Sequence, residues 1–189
     1  MSPEQLSLLE PISALPEGFA YREDFVSAAE EAELISHIAG LELREFEFHG
    51  YLGKRRVTSF GLRYDFNDMA VHDATEIPEF LLPLRDRAAA FAGVAPEALA
   101  HALVTEYTLG AAIGWHRDRP VFGDVIGISL GAPCRFRFRR KRGQGWERKS
   151  LTLLPRSAYL MRGPARHEWQ HSIPPVEALR YSVTFRSTR

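Results

Sequence analysis

The chain has 189 residues, 45% of them hydrophobic, with one cysteine, Cys134, and a formal net charge of zero. That length and apolar content suffice to bury a core without disulfide or structural-metal staples, and a lone cysteine excludes an intramolecular disulfide, a zinc ribbon and a CxxC redox pair. The charge is uneven: residues 1–100 hold 8 Lys/Arg against 18 Asp/Glu and residues 101–189 hold 16 against 6, so the second half either attracts polyanions or pairs with the first across a compact domain.

The opening MSPEQLSLLEPISALPEG has no basic start followed by an apolar stretch, and no run approaches a membrane span, so a cytoplasmic protein without a membrane partner is expected. Ser27-Ala-Ala-Glu30 has the spacing of a capping box and precedes Ala32, Leu34, Ile35, Ile38 and Leu41 at helical intervals, which predicts a helix over about 28–40 closed by Gly40. A second helix is predicted over 78–92, where Pro83 either kinks it or opens its main part, with a short helical turn near Pro96–Ala100. Between them, FEFHGYLGKRRVTSFGLRYDF reads as strands and loops with many aromatics and no regular period. Beyond residue 102 the texture changes to LVTEYTL, DVIGISL, CRFRFR, KSLTLL, AYLMR, EWQHSI and YSVTFR, short stretches rich in β-branched and aromatic residues and divided by Gly and Pro. These predict an antiparallel sandwich or barrel with helices packed outside it.

His116 and Asp118 are one residue apart, so a strand would turn both toward one ion. A third ligand must come from elsewhere. His37 lies on the predicted first helix, His49, His72 and His101 have no recognisable partner spacing, and His167 and His171 fall four apart on a late strand, where periodicity does not choose between them. Two His and one Asp form the facial triad that leaves open positions on Fe(II). In the last strand, Arg180, Ser182, Thr184 and Arg186 share one face and Tyr181, Val183 and Phe185 the other. The polar set either faces water or lines a cavity. Inside a cavity, unpaired guanidinium groups would be costly, and a small dicarboxylic acid such as 2-oxoglutarate would relieve that cost through bidentate pairing.

The order His116-x-Asp118, then His171, then Arg180-x-Ser182-x-Thr184-x-Arg186 resembles the AlkB family of Fe(II)- and 2-oxoglutarate-dependent dioxygenases, whose closing motif is usually written RxNxTxR. GPARHEWQHSIPP resembles the family's approach to its distal histidine, LVTEYTLGAAIGWHRD the strand and turn leading into HxD, and RRVTSFGLRYDF an FGxxY segment of the lid region. The resemblance extends over roughly residues 50–189. It implies an α+β fold with a double-stranded β-helix (jelly-roll) core over about 100–189, an N-terminal helical part over about 1–45 packed outside it, and a lid of loops and short strands over about 46–70, all within one domain. It also implies that His116, Asp118 and His171 bind iron, that Arg180 and Tyr107 hold the distal carboxylate of 2-oxoglutarate, and that Arg186 lies near its metal-proximal end. Thr105, Ser182 and Thr184 would line the co-substrate. Ser182 and Thr105 stand where the family usually has Asn, and Pro120 stands where some nucleic-acid repair members carry an acidic residue.

The implied reaction is oxidative demethylation of bases such as 1-methyladenine or 3-methylcytosine in single-stranded or base-flipped DNA or RNA, yielding formaldehyde, succinate and CO2, by a monomer. Phe60, Tyr64 and Phe66 are candidates to stack on the base, beside the ring of His116. Phosphate contacts are expected from Lys54, Arg55 and Arg56, or from the hairpin CRFRFRRKRGQG, where Arg135, Arg137 and Arg139 share a face and the turn adds Arg140, Lys141 and Arg142. Alternatives are the same iron chemistry on a protein or small molecule, and a metal-binding jelly roll without turnover.

Overall fold

A computed structural model describes residues 15–48, 51–65, 70–73 and 75–188. His49 and Phe66 lie outside the described residues, as do the side chains of Tyr64 and His72. In chain order the elements are β1 (Phe19–Arg22), α1 (Ala28–Ala39), β2 (Arg44–Phe48), β3 (Tyr51–Phe60), β4 (Leu62–Asp65), β5 (Ala70–Asp73), α2 (Leu82–Ala92), β6 (His101–Tyr107), β7 (Ile113–His116), β8 (Phe122–Gly131), β9 (Cys134–Arg142), β10 (Gly145–Leu153), β11 (Ser157–Met161), α3 (Gly163–His167), β12 (Gln170–Ile173) and β13 (Arg180–Thr188).

Helix α1 begins where the capping box directs it: the Ser27 hydroxyl accepts from the Glu30 amide at 3.2 Å and the Glu30 carboxylate accepts from the Ser27 amide at 2.8 Å. Its buried stripe, Leu34 and Ile38, packs on the larger sheet. Pro83 opens α2 instead of kinking it. A short 3-10 turn, Glu79–Leu81, precedes the helix, and Pro83 sits in its first turn, where a missing amide costs nothing. Among the described residues, no helix is long and apolar enough to cross a membrane.

The strands pair antiparallel in two main sheets, in the orders β1-β11-β8-β13-β6-β3-β2 and β10-β9-β12-β7, with β4 and β5 as a separate pair. This is the antiparallel sandwich expected from the run of short strands, in the jelly-roll form that the resemblance implied. Strand β1 was not foreseen: FAYR pairs with β11 and extends the larger sheet at one edge, inside the part of the chain expected to be helical. One core lies between the larger sheet and the helices, with Val104, Ile128, Val183 and Phe185 meeting Ile38, Leu84 and Ala88. A second lies between the two sheets around Phe136, Phe138, Tyr159 and Trp169. Each fully buried Ile, Leu or Phe side chain contributes about 1.5–3 kcal/mol relative to exposure.

Strand β13 is central and covered on both sides. Tyr181, Val183 and Phe185 face the helices, and residues Arg180 to Phe185 are all buried. Its neighbours fix what the polar face sees, since Ser182 is paired with Thr105 on β6 and with Ser129 on β8. Two glycines are required by this geometry. Gly61, between β3 and β4, has φ +76°, and a Cβ there would run into the carbonyl of Ala100. Gly127 lies beneath the ring of Tyr159, where a Cβ would overlap the aromatic carbons.

Candidate active site

His116 ends β7, and its Cα partner on β12 is His171, so the antiparallel register sets the two imidazoles side by side with centroids 4.2 Å apart. Asp118 lies just beyond the end of β7 and not on it, in a turn that brings its carboxylate back to the pair. One ligand atom from each of His116, Asp118 and His171 lies within 4.8 Å of the other two. The turn is held by a residue that sequence patterns did not single out. Arg166, buried on α3, donates to the carbonyls of Asp118 (3.1 Å), Arg119 (2.6 Å), Phe122 (3.0 Å) and Gly123 (3.1 Å). His167 is not on the late strand with His171. Gly163 and Pro164 start a helical turn that carries His167 to an exposed position, and only His171 enters β12.

The three groups are prepared as ligands. His116 Nδ1 lies 2.9 Å from the Gly114 carbonyl, which can only accept, so the proton sits on Nδ1 and the Nε2 lone pair is free. Burial holds the His116 pKa below its ordinary value, and burial together with His116 holds His171 down to about 3, with Asp118 acting the other way, so both rings are neutral donors near neutral pH. Burial would raise the Asp118 pKa, but the Arg186 guanidinium, then the two imidazoles and Arg166, outweigh it and hold the carboxyl well below the usual carboxylate range. Asp118 Oδ1 accepts from Arg186 Nε at 2.9 Å and Nη2 at 2.7 Å. Its buried Oδ2 has no hydrogen-bond partner among the described residues and lies 3.6 Å from His171 Nε2. A carboxylate oxygen and two imidazole lone pairs converging in this way fit a divalent iron.

Arg180 is 1% exposed, and its guanidinium is fixed by a 3.2 Å bond from Nε to Ser129 Oγ and by the ring of Tyr107, 4.8 Å from its carbon. Among the described residues, its buried Nη1 has no partner. A buried cation with an unused N–H fits an anionic co-substrate, and a carboxylate is the group that matches it. Thr105, Ser182 and Thr184 are buried beside it, with Ser182 and Thr184 hydroxyls 3.4 Å apart.

The expected substrate contacts fare differently. Phe60 is in the helix-side core, opposite Ala102 on the face of the larger sheet turned away from the triad, so it cannot be the stacking platform. Arg56, on the same face, is bound to Glu106 by 2.7 and 3.0 Å hydrogen bonds, which removes it as a free phosphate contact. The alternation of β3 turns Arg55 to the other face instead. It is 9% exposed, paired in register with Tyr107, and close enough to contribute to lowering the His116 pKa. Arg137 and Arg139 lie on the outer face of the smaller sheet, while Phe136 points inward and lies 5.4 Å from the His171 ring. His101, which had no spacing to recommend it, accepts from Arg186 Nη1 at 3.3 Å.

Two outcomes follow from these contacts. Replacing Arg186 with Gln leaves Asp118 without its cation and is expected to weaken Fe(II) binding by roughly 10- to 100-fold in an anaerobic calorimetric titration. His101 is held down to about 3 by burial and then by Arg186, below its ordinary 6.5, so the unfolded chain takes the proton first. The stability contributed by the neutral ring is therefore complete above about pH 6.5 and is lost as pH falls toward about 3. Urea unfolding of the metal-free chain across that window should show a shallower pH slope for His101→Gln than for the wild type.

Comparison with known proteins agrees with this geometry. The model of the 2OG-Fe(II) oxygenase superfamily matches residues 18–186. The "Alkylated DNA repair protein ALKBH8 homolog" of Arabidopsis thaliana is 30% identical over 210 aligned residues, covering 97% of this chain and 59% of that protein. "Uncharacterized protein L905" of Acanthamoeba polyphaga mimivirus is 32% identical over 98 residues, 45% of this chain and 46% of its own length. The chain thus spans less than two thirds of either curated relative. The solved structure of OsALKBH1 superposes with a TM-score of 0.70 over 90% of this chain and 96% of its own, at 17% identity, which speaks for the fold. With a family model running almost the length of the chain and a triad and guanidinium to match, the protein belongs to the 2OG-Fe(II) oxygenase superfamily and is a dioxygenase that uses Fe(II) and 2-oxoglutarate.

Proposed function

We propose that this dioxygenase removes N-alkyl groups from nucleobases of the 1-methyladenine and 3-methylcytosine type in DNA or RNA, a role in repair or in nucleic-acid demethylation. The observation that carries the reading is the pairing of a His-Asp-His cluster with the buried, under-bonded Arg180, in a chain 30% identical to a protein named for alkylated DNA repair. His116, Asp118 and His171 would hold the iron. Arg180, steadied by Ser129 and Tyr107, would take the distal carboxylate of 2-oxoglutarate, with Thr105, Ser182 and Thr184 lining its path. Arg186 keeps Asp118 ionised and turned so that Oδ2 is left for the metal.

Bound Fe(II) with 2-oxoglutarate supplies the oxidising chemistry: dioxygen is consumed, one oxygen atom going to succinate with loss of CO2 and the other to the substrate's N-methyl carbon. The hydroxylated methyl group then leaves as formaldehyde, and the base nitrogen keeps a hydrogen. The residues of this chain hold and orient the reactants. Neutral imidazoles do not compete for protons near neutral pH, and Phe136 against His171 keeps water from that side of the ring. The reading also has residues 1–189 act as one domain and as a monomer in the cytoplasm, and the buried, free thiol of Cys134 supports a reducing compartment.

The test is mass spectrometry of methylated single-stranded DNA and RNA after incubation with enzyme, Fe(II), 2-oxoglutarate and ascorbate. Loss of the methyl group with matching succinate is expected, and His171→Ala should abolish both. Succinate release stimulated by methylated peptides and not by methylated oligonucleotides would reassign the substrate to protein.

A further inference from the structure

We infer that the outer face of the smaller sheet is a binding surface for single-stranded nucleic acid. The inference deepens the nucleic-acid reading and rests on it for what the surface serves. The two-residue period of β9 turns Phe136 and Phe138 into the core, so Arg135, Arg137, Arg139 and Lys141 stand together on the opposite face. In register, β10 sets Ser150 beside Arg137, Arg148 beside Arg139 and Trp146 beside Lys141. On the other side, β12 sets Ser172 beside Arg137 and Gln170 beside Arg139. Trp115 on β7 completes the face.

Three of the five cations are held without being neutralised. Arg135 Nη2 donates to Ser150 Oγ at 2.6 Å, Arg137 Nε to Ser172 Oγ at 3.0 Å and Arg139 Nε to Gln170 Oε1 at 2.7 Å, all uncharged acceptors. Among the described residues, none of Arg135, Arg137, Arg139, Lys141 and Arg148 pairs with a carboxylate. The neighbouring Arg140, whose side chain alternates away from them, pairs with both Glu147 and Glu168. Acidic partners are therefore at hand on this sheet, yet this face has none. The Arg139 guanidinium lies over both indoles, 4.5 Å from Trp115 and 4.2 Å from Trp146, and Arg137 lies 5.0 Å from Trp115. Trp146 is 38% exposed. The same face holds a depression of about 240 Å³ whose walls include Trp115, Arg135, Arg137, Arg148 and Ser150.

Charge and shape favour one occupant. Outward residues on a strand repeat every ~6.6 Å, so successive arginines can each meet a different phosphate of one extended strand. An acidic peptide would satisfy the cations but has no flat bases for the exposed indole, and a duplex keeps its base faces stacked inside. A single strand offers both phosphates and free base faces. Trp115 immediately precedes the iron ligand His116 on β7, the edge strand of this sheet, so the face ends beside the catalytic cavity.

Fluorescence anisotropy of a labelled, unmethylated single strand of roughly 16 nucleotides, titrated with the full chain at several salt concentrations, tests this. Binding should weaken with salt, and R137Q/R139Q together should weaken it at least ~10-fold and reduce the log–log salt slope by about 1.4, two phosphate contacts' worth. Arg148→Gln, at an exposed position with no hydrogen bond or ion pair among the described residues, should reduce the slope by about 0.7. Trp146→Ala should weaken binding with the slope unchanged. Thermal melts establish that each variant is folded. Variants that bind like the wild type, or a polyglutamate peptide or duplex that competes as well as the single strand, would overturn the inference. The oligonucleotide carries no methyl group and the readout needs no turnover, so the two readings separate. Anisotropy as expected without any base oxidation leaves the face standing and removes the demethylase reading; oxidation with unaltered anisotropy in the variants does the reverse.

Discussion

The constraint from which the site follows is the placing of two guanidinium groups, Arg180 buried and Arg186 partly buried, on one face of β13. A buried cation costs several kcal/mol unless something of opposite charge meets it. Arg186 is met by Asp118, which fixes one carboxylate oxygen, keeps the group ionised and leaves the second oxygen for a metal. Arg180 meets a serine hydroxyl and the face of a tyrosine, and among the described residues no anion takes its buried Nη1. The two arginines share one face of a strand covered on both sides, so backbone pairing fixes where each guanidinium is rooted. A dicarboxylic keto acid that chelates iron at one end has a second carboxylate to offer the Arg180 guanidinium.

The smaller sheet serves the same cavity from the opposite wall. Its inner face carries His116, His171 and Phe136, and the antiparallel pairing of β7 with β12 is what brings the two imidazoles together. Arg166 then ties down the turn that presents Asp118, using four backbone carbonyls as acceptors. The outer face is free of these duties and carries cations and indoles.

Much of this was legible in the sequence, for physical reasons that differ by residue. Ser27 and Glu30 announce α1 because a capping box is local, and β13 shows its two faces because its alternation runs over a long, central strand. The HxD pair and the RxSxTxR strand were readable as chemistry, but His171 could be chosen over His167 only by resemblance, since the turn that Gly163 and Pro164 start is five residues long, too short for a helical period to show. Strand β1 has four residues, too few for a period to separate it from a loop. Arg55 and Arg56 are adjacent and chemically identical, and only the register of β3 against β6 decides that Arg55 faces the triad while Arg56 faces Glu106. Phe60 was misjudged for the same reason. Arg166 and His101 act through neighbours distant in sequence, on carbonyls and on Arg186, which no local pattern records.

The account stands most directly on anaerobic visible spectroscopy of the chain with Fe(II) and 2-oxoglutarate. The wild type should develop the charge-transfer band of an iron-chelated 2-oxo acid, and Arg180→Ala should require roughly 10- to 100-fold more 2-oxoglutarate to reach half its intensity, as expected for losing a charge-assisted contact. Absence of the band in the wild type, or an Arg180→Ala variant that saturates at the wild-type concentration, would contradict a shared cavity for the metal and the buried guanidinium.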